Sequence, residues 1–317
     1  MTTDANGAST IERQSLETGK WANLFMAVAG VVAAYASHSD ALLVDGLYSG
    51  VNFFSAIIAA RISQSLLAPP DARYPFGYDA YEAIYVKYRS LVLLGIISFA
   101  IFGAIAKIIR YAGGGEVAAL NFGPIVIYMV AMVAICFGLA AWHYKNWKLT
   151  GSRSELLQTE MKAAVVDGII SAGAGGGLVG AALLRGTPLE FIVPVSDSIV
   201  VLIMCGFIVG QPLRIFLSSL HEVAGGMAPE DVCAKARSIA EETAKGQEVD
   251  VLTVSTTKLG RSYFVIAYLK PKTSVTAEEV DAFREKLMSE CQEAIGIVKT
   301  EVIITANPPY EAPQPQG

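Results

Sequence analysis

Asp45, Tyr48, Ser49 and Asn52 recur at spacings of three and four. That spacing lays their polar groups along one stripe of a helix. Asp167 and Ser171 repeat the pattern one turn apart. Both stripes interrupt otherwise apolar stretches. A charged side chain at the middle of a bilayer costs about 2.5–3.5 kcal/mol on insertion scales, so such stripes must face other helices or a wet cavity. If the two face each other they form a small oxygen-rich site. Hydrogen bonding between helices is the plainer reading of the same residues. Asp197 lies near one end of its apolar stretch, where an interfacial or capping position explains it as well as chemistry does.

The elements that must carry these residues are membrane helices, each needing about 20 predominantly apolar residues. Six stretches qualify. They run from Trp21 to Ser37, Ala41 to Ala60 (with Asp45), Ser90 to Ala106, Val117 to Trp142, Ala163 to Leu184 (with Asp167) and Phe191 to Leu213 (with Asp197). The loops on one side would hold Arg13, Lys20, Arg61, Arg73, Lys87, Arg89, Lys145, Lys148, Arg153, Lys162 and Arg214. The other side would hold only Lys107, Arg110 and Arg185. The excess of basic residues marks the first side as cytoplasmic, which places both termini in the cytoplasm. Residues 1–20 are polar and lack the basic start and apolar core of a signal peptide; they are expected to be a short disordered cytoplasmic tail.

Composition agrees. The chain is 53% hydrophobic and 17% charged, against about a quarter charged in soluble domains. Residues 1–217 carry equal numbers of acidic and basic side chains, 14 of each, whereas residues 218–317 carry 15 acidic and 10 basic. The net charge of −5 therefore belongs to the last third, as in an ordinary acidic soluble domain. Nothing is basic enough to suggest a nucleic-acid partner, and no catalytic constellation points to an enzyme. Cys136, Cys205, Cys233 and Cys291 form no CxxC pair or disulfide framework. His38, His143 and His221 are scattered and cannot make a histidine-rich metal cluster. Trp142, Tyr144 and Trp147 around His143 suit an aromatic interface belt.

Gly175, Gly177 and Gly180 match the dinucleotide pattern GxGxxG, but no strand precedes them and no helix starts there. Small residues at Gly168, Ala172, Gly176 and Gly180 recur every four positions, as on a face where membrane helices pack closely.

Beyond Arg214 the periodicity changes. Pro229 to Ala244 and Thr276 to Ala294 read as helices. Val249 to Thr257, Ser262 to Leu269 and Ile297 to Thr305 read as strands, with a hairpin turn over Lys258–Arg261. The order αββαβ suits a ferredoxin-like α/β fold. The expected organisation is thus a tail (1–20), a six-helix, all-α transmembrane domain (21–217), a ferredoxin-like cytoplasmic domain (218–306) and a proline-rich tail (307–317).

The ordered set of motifs resembles the cation diffusion facilitator, or cation efflux, family. Ser39-Asp-Ala-Leu-Leu-Val-Asp45-Gly-Leu-Tyr48-Ser49 is similar to that family's S-x-A-L-L-A-D-A-x-H-S stretch. Arg73-Tyr-Pro-Phe-Gly77-Tyr-Asp-Ala-Tyr-Glu82 resembles its H-x-F/Y-G-H/Y-G-x-x-E segment. Asp167-Gly-Ile-Ile-Ser171 resembles its D-x-x-x-S run, and Ser218-Ser-Leu-His-Glu222 the end of its sixth helix. The resemblance covers about residues 20–306. It implies a homodimer of multi-pass subunits in the plasma (inner) membrane that export a divalent metal cation in exchange for protons by alternating access. The cation is cargo, and no cofactor is expected.

The family's intramembrane metal site uses two ligands four apart on helix two and two more four apart on helix five. Carried over, these are Tyr48 and Asn52, then Ala163 and Asp167. Only Asp167 keeps the family's residue type, and Tyr74 and Tyr78 stand where histidines often flank the loop motif. The residues expected to hold a cation are therefore Asp167, Asn52, Tyr48 and Asp45. Carboxylate, amide and phenol oxygens favour Mn, Mg or Ca over zinc, and no histidine remains at the site to titrate near neutrality. From Glu222 onward there is no histidine, so the family's cytoplasmic metal sites are expected to be missing. The lost ligands also admit a second reading, a non-transporting structural or regulatory partner that dimerises with a competent relative.

Overall fold

The computed structural model describes residues 2–65, 71–74, 77–150, 152 and 154–307. The helices run in the order α1 (Thr2–Ser37), α2 (Asp40–Ser65), α3 (Ala80–Ala112), α4 (Phe122–Leu149), α5 (Glu155–Ala182), α6 (Ser196–Ile208) and α7 (Gly210–Val223). A 3-10 turn, Glu190–Val195, leads into α6. Then follow α8 (Glu230–Ala244), β1 (Val249–Leu259), β2 (Ser262–Pro271), α9 (Ala277–Ile295) and β3 (Val298–Ile304). Two compact units result, residues 1–60 with 89–214, and residues 61–88 with 215–317. The segment 61–88, expected within the transmembrane domain, thus groups with the C-terminal residues.

Among the described residues, five stretches are long and apolar enough to cross a membrane: Asp40–Ile62, Ala80–Ala112, Phe122–Leu149, Leu156–Ala182 and Glu190–Ile208. The remaining expected span, Trp21 to Ser37, is the C-terminal half of α1. The expected disordered tail is instead the helical first half of α1. Ser15, on that half, is fully buried. Its hydroxyl lies 2.8 Å from His143 Nδ1 and accepts from Asn146 Nδ2 at 3.1 Å. These bonds to α4 order a segment whose polarity alone suggested solvation.

Large apolar side chains on these helices face outward, such as Phe99, Phe102, Ile127 and Phe207. The apolar exterior is what a bilayer solvates. Small residues set the helix spacing inside. A Cβ at Gly30 on α1 would lie 2.5 Å from Gly46 Cα on α2, so the two backbones cross in contact there. A Cβ at Gly175 on α5 would overlap Met129 on α4, and one at Gly168 would press on Cys136 and Phe137. The tight α4–α5 contact therefore uses positions seven apart, whereas Gly176 and Gly180 of the expected four-residue stripe have open space around them.

Asp197 is a cap. Its carboxylate accepts from Ser39 Oγ at 2.5 Å, Asp40 N at 2.8 Å and Ala41 N at 3.2 Å. The first amides of a helix have no partner within it, and here a side chain from α6 satisfies those of α2. Lys107 on α3 adds its ammonium at 3.5 Å from Asp197 and 3.3 Å from Asp40.

The second unit has the expected αββαβ order. β1 and β2 are antiparallel, β2 and β3 parallel, in the order β1-β2-β3. The hairpin is tighter than the sequence suggests. Leu259 pairs with Ser262, leaving Gly260 and Arg261 to turn, with Gly260 at φ +61, a conformation natural to glycine. The core joins Ala236, Ala240, Val265, Ala267, Leu269, Phe283, Leu287 and Cys291. Thr276 and Glu279 form a reciprocal capping box at the start of α9.

Candidate functional site

The crossing of α1 and α2 at Gly30 and Gly46 sets the position of Asp45, the residue beside Gly46. Tyr128, buried on α4, donates its hydroxyl to Asp45 Oδ2 at 2.7 Å. A Cβ at Gly30 would also come within 2.9 Å of the Tyr128 hydroxyl. One close helix crossing therefore brings a carboxylate and its donor together.

Asp45 and Tyr48, one turn apart on α2, line a cavity of about 120 Å³ with Asp167 of α5. The walls include Val44, Ile170, Met204 and Phe207, and the polar lining is completed by Gln211. The two polar stripes thus converge on one space. Asp167 lies one helical turn before Ser171, which is buried. Two carboxylates, a phenol and an amide form a hard-oxygen donor set, which suits a cation that keeps part of its water shell. Among the described residues, no group of three or more His, Cys, Asp and Glu side chains is gathered to hold a metal ion.

Asn52 does not line this cavity. Its Oδ1 accepts from Arg89 Nη2 of α3 at 3.0 Å. Of the four residues expected to hold a cation, the fold brings Asp45, Tyr48 and Asp167 to one space and turns the amide oxygen of Asn52 to a guanidinium.

Three participants escaped the sequence reading. Tyr128 was one hydroxyl in a long uncharged stretch, and its position there was the available signal. Gln211 was the amide in the last expected span, directly before Pro212. Arg89 marked only the boundary of a span. His143, read as part of an aromatic belt, is instead buried against Ser15, while Trp142 and Tyr144 beside it are exposed.

In the second unit, Tyr78 donates to Asp71 Oδ2 at 2.6 Å, and the Tyr74 and Tyr81 hydroxyls meet at 2.5 Å. The Tyr78 hydroxyl, then the amides of Tyr74 and Arg73, holds the Asp71 carboxyl below its usual range. Two of the residues standing at the family's histidine positions thus bind one another's neighbourhood through phenols.

The family model for the cation efflux transmembrane domain matches residues 19–223. The chain is also 25% identical over 223 residues to the uncharacterized transporter YdbO of Bacillus subtilis (strain 168), an alignment covering 68% of this chain and 71% of that protein. Helices α2 to α7 and the cavity between them fall within the matched residues, and a match across more than half of the 317 residues shows that the chain belongs to the cation efflux family.

Proposed function

We propose that this membrane transporter exports a divalent cation, bound in the cavity by Asp45 and Asp167 with Tyr48 beside them. The observation that carries the reading is that two carboxylates from different helices line one small cavity within the helical unit. Their two negative charges balance a divalent ion. Desolvating one carboxylate near another without a cation is costly, so the site also suits proton exchange, the carboxylates taking up protons when the cation leaves. Alternating access would then open the cavity to each side of the membrane in turn.

The donors lack imidazole and thiolate, so Mn, Mg and Ca are favoured over Zn. The distribution of basic loops supports cytoplasmic termini, and family membership supports a homodimer in the plasma (inner) membrane. The bond from Arg89 to Asn52 favours the second reading, a non-transporting partner, because it occupies one of the inherited ligand positions.

Flux into proteoliposomes holding the purified protein separates the two. Screening Zn, Mn, Fe, Co, Mg and Ca is expected to show transport of a hard divalent ion, lost in Asp167→Ala. A parent protein inert toward every ion would favour the partner reading, and an active Asp167→Ala variant would place the site elsewhere.

A further inference from the structure

The α6–α7 break lies beside the cavity and has a covalent cause. α6 ends at Ile208 and α7 begins at Gly210, with Val209 between them still at helical dihedrals (φ −63, ψ −30), so the interruption is one of hydrogen bonding. Pro212 has no N–H to give to the carbonyl four residues back, that of Ile208, and its ring crowds that oxygen. The bonds on either side survive, from Val209 N to Cys205 O at 3.0 Å and from Leu213 N to Val209 O at 3.2 Å. The interruption is therefore confined to one turn. Ile208 and Gln211, from that turn, both line the cavity with Asp45, Tyr48 and Asp167.

The Gln211 amide has no hydrogen-bond partner among the described residues. Gln211 is exposed where it borders the cavity, so its amide is free to turn toward an occupant of that space. A cation there would meet a hard, neutral oxygen donor. Interrupted helices in membranes use the same chemistry, offering freed backbone oxygens where they line a cavity.

We infer that Gln211 is a ligand of the cation, presented by the proline-made break between α6 and α7. The inference rests on the proposed function of the cavity. It places the ligand set on three elements, α2, α5 and the α6–α7 break, and replaces Asn52 by a residue outside both polar stripes. An additional neutral oxygen leaves the charge balance with two carboxylates intact and enlarges the coordination number, which separates Mg, Mn and Ca from four-coordinate zinc.

The test uses full-length protein in detergent, with Mn²⁺ as probe and the loss of the free-ion electron paramagnetic resonance signal as readout. Gln211→Ala is expected to weaken Mn²⁺ binding by about tenfold or more, within the range seen when a metal site's supporting groups are removed. Gln211→Glu, which keeps an oxygen at that place, should retain or tighten it. Pro212→Ala, which restores the missing N–H, should weaken binding with Gln211 unchanged. Parental Mn²⁺ affinity in both Gln211→Ala and Pro212→Ala, with binding lost in Asp167→Ala, would overturn the role of Gln211 and leave the cavity as the site. Equal losses in Gln211→Ala and Gln211→Glu would show a purely structural role and overturn it too. A parent that binds none of Mn, Mg, Ca or Zn would remove the proposed function itself and this inference with it.

Discussion

Ser39 Oγ and Asp197 Oδ1 stand 2.5 Å apart, joining residues 158 positions distant in the chain at the starts of α2 and α6. Asp197 is fully buried, and two α2 amides share its carboxylate. Asp197→Ala strips that helix start of its acceptor and leaves Lys107 without one of its two carboxylates. The expected cost is about 3 kcal/mol or more, the scale for removing one partner of a buried charged network. Thermal unfolding in detergent, followed by size-exclusion chromatography, should show a clear drop. Asp197→Asn should lose less, since its amide oxygen can still accept.

Tyr128 acts on the cavity through Asp45. Tyr128→Phe removes the hydroxyl at 2.7 Å while keeping the ring. The Asp45 carboxylate is then free to turn from the orientation it holds at the cavity. Cation affinity is expected to fall by about tenfold with little change in thermal stability. Unchanged binding with lower stability would mark the bond as structural only.

The glycines of the helix crossing separate two kinds of small residue. Gly30→Ala sets a methyl group 2.5 Å from Gly46 Cα, backbone that has nowhere to move. It should destabilise by about 1–3 kcal/mol, the usual range for overpacking, and should displace Asp45 from Tyr128. Gly176→Ala meets nothing within 4 Å and should be close to neutral. Melting midpoints of the two variants, measured side by side, decide the point.

The C-terminal unit carries a pH dependence. Burial, with a smaller contribution from the Glu290 carboxylate, pushes the Cys291 thiol from its ordinary 9.0 up to about 11. A raised thiol pKa means that the folded form prefers the neutral group. Its full stability is present below pH 9; between pH 9 and about 11 the unfolded chain ionises first and stability falls. Unfolding curves of the full-length protein should shift over that interval, and Cys291→Ala should flatten the shift. Maleimide labelling of native protein at pH 8 should reach Cys233, which is only half-buried, well before Cys291.

How much of this was legible beforehand follows from what periodicity encodes. Uninterrupted apolar length announces a span whatever its neighbours, because the bilayer acts on each helix separately. Alternation and helical spacing announced the αββαβ order for the same local reason, and spacings of three and four placed Asp45 with Tyr48, and Asp167 with Ser171, on shared stripes. Which stripe meets which neighbour is not a local quantity. Tyr128 reaches Asp45, Arg89 takes Asn52, Asp197 caps α2 and Gln211 arrives at the cavity only because of how far each helix is rotated and how high it crosses the next. Those settings come from close contacts such as Gly30 on Gly46 and Gly175 on Met129, and from one missing amide at Pro212. A single chain's residue pattern states that a polar group must find a partner; only the packed helices decide which partner it finds.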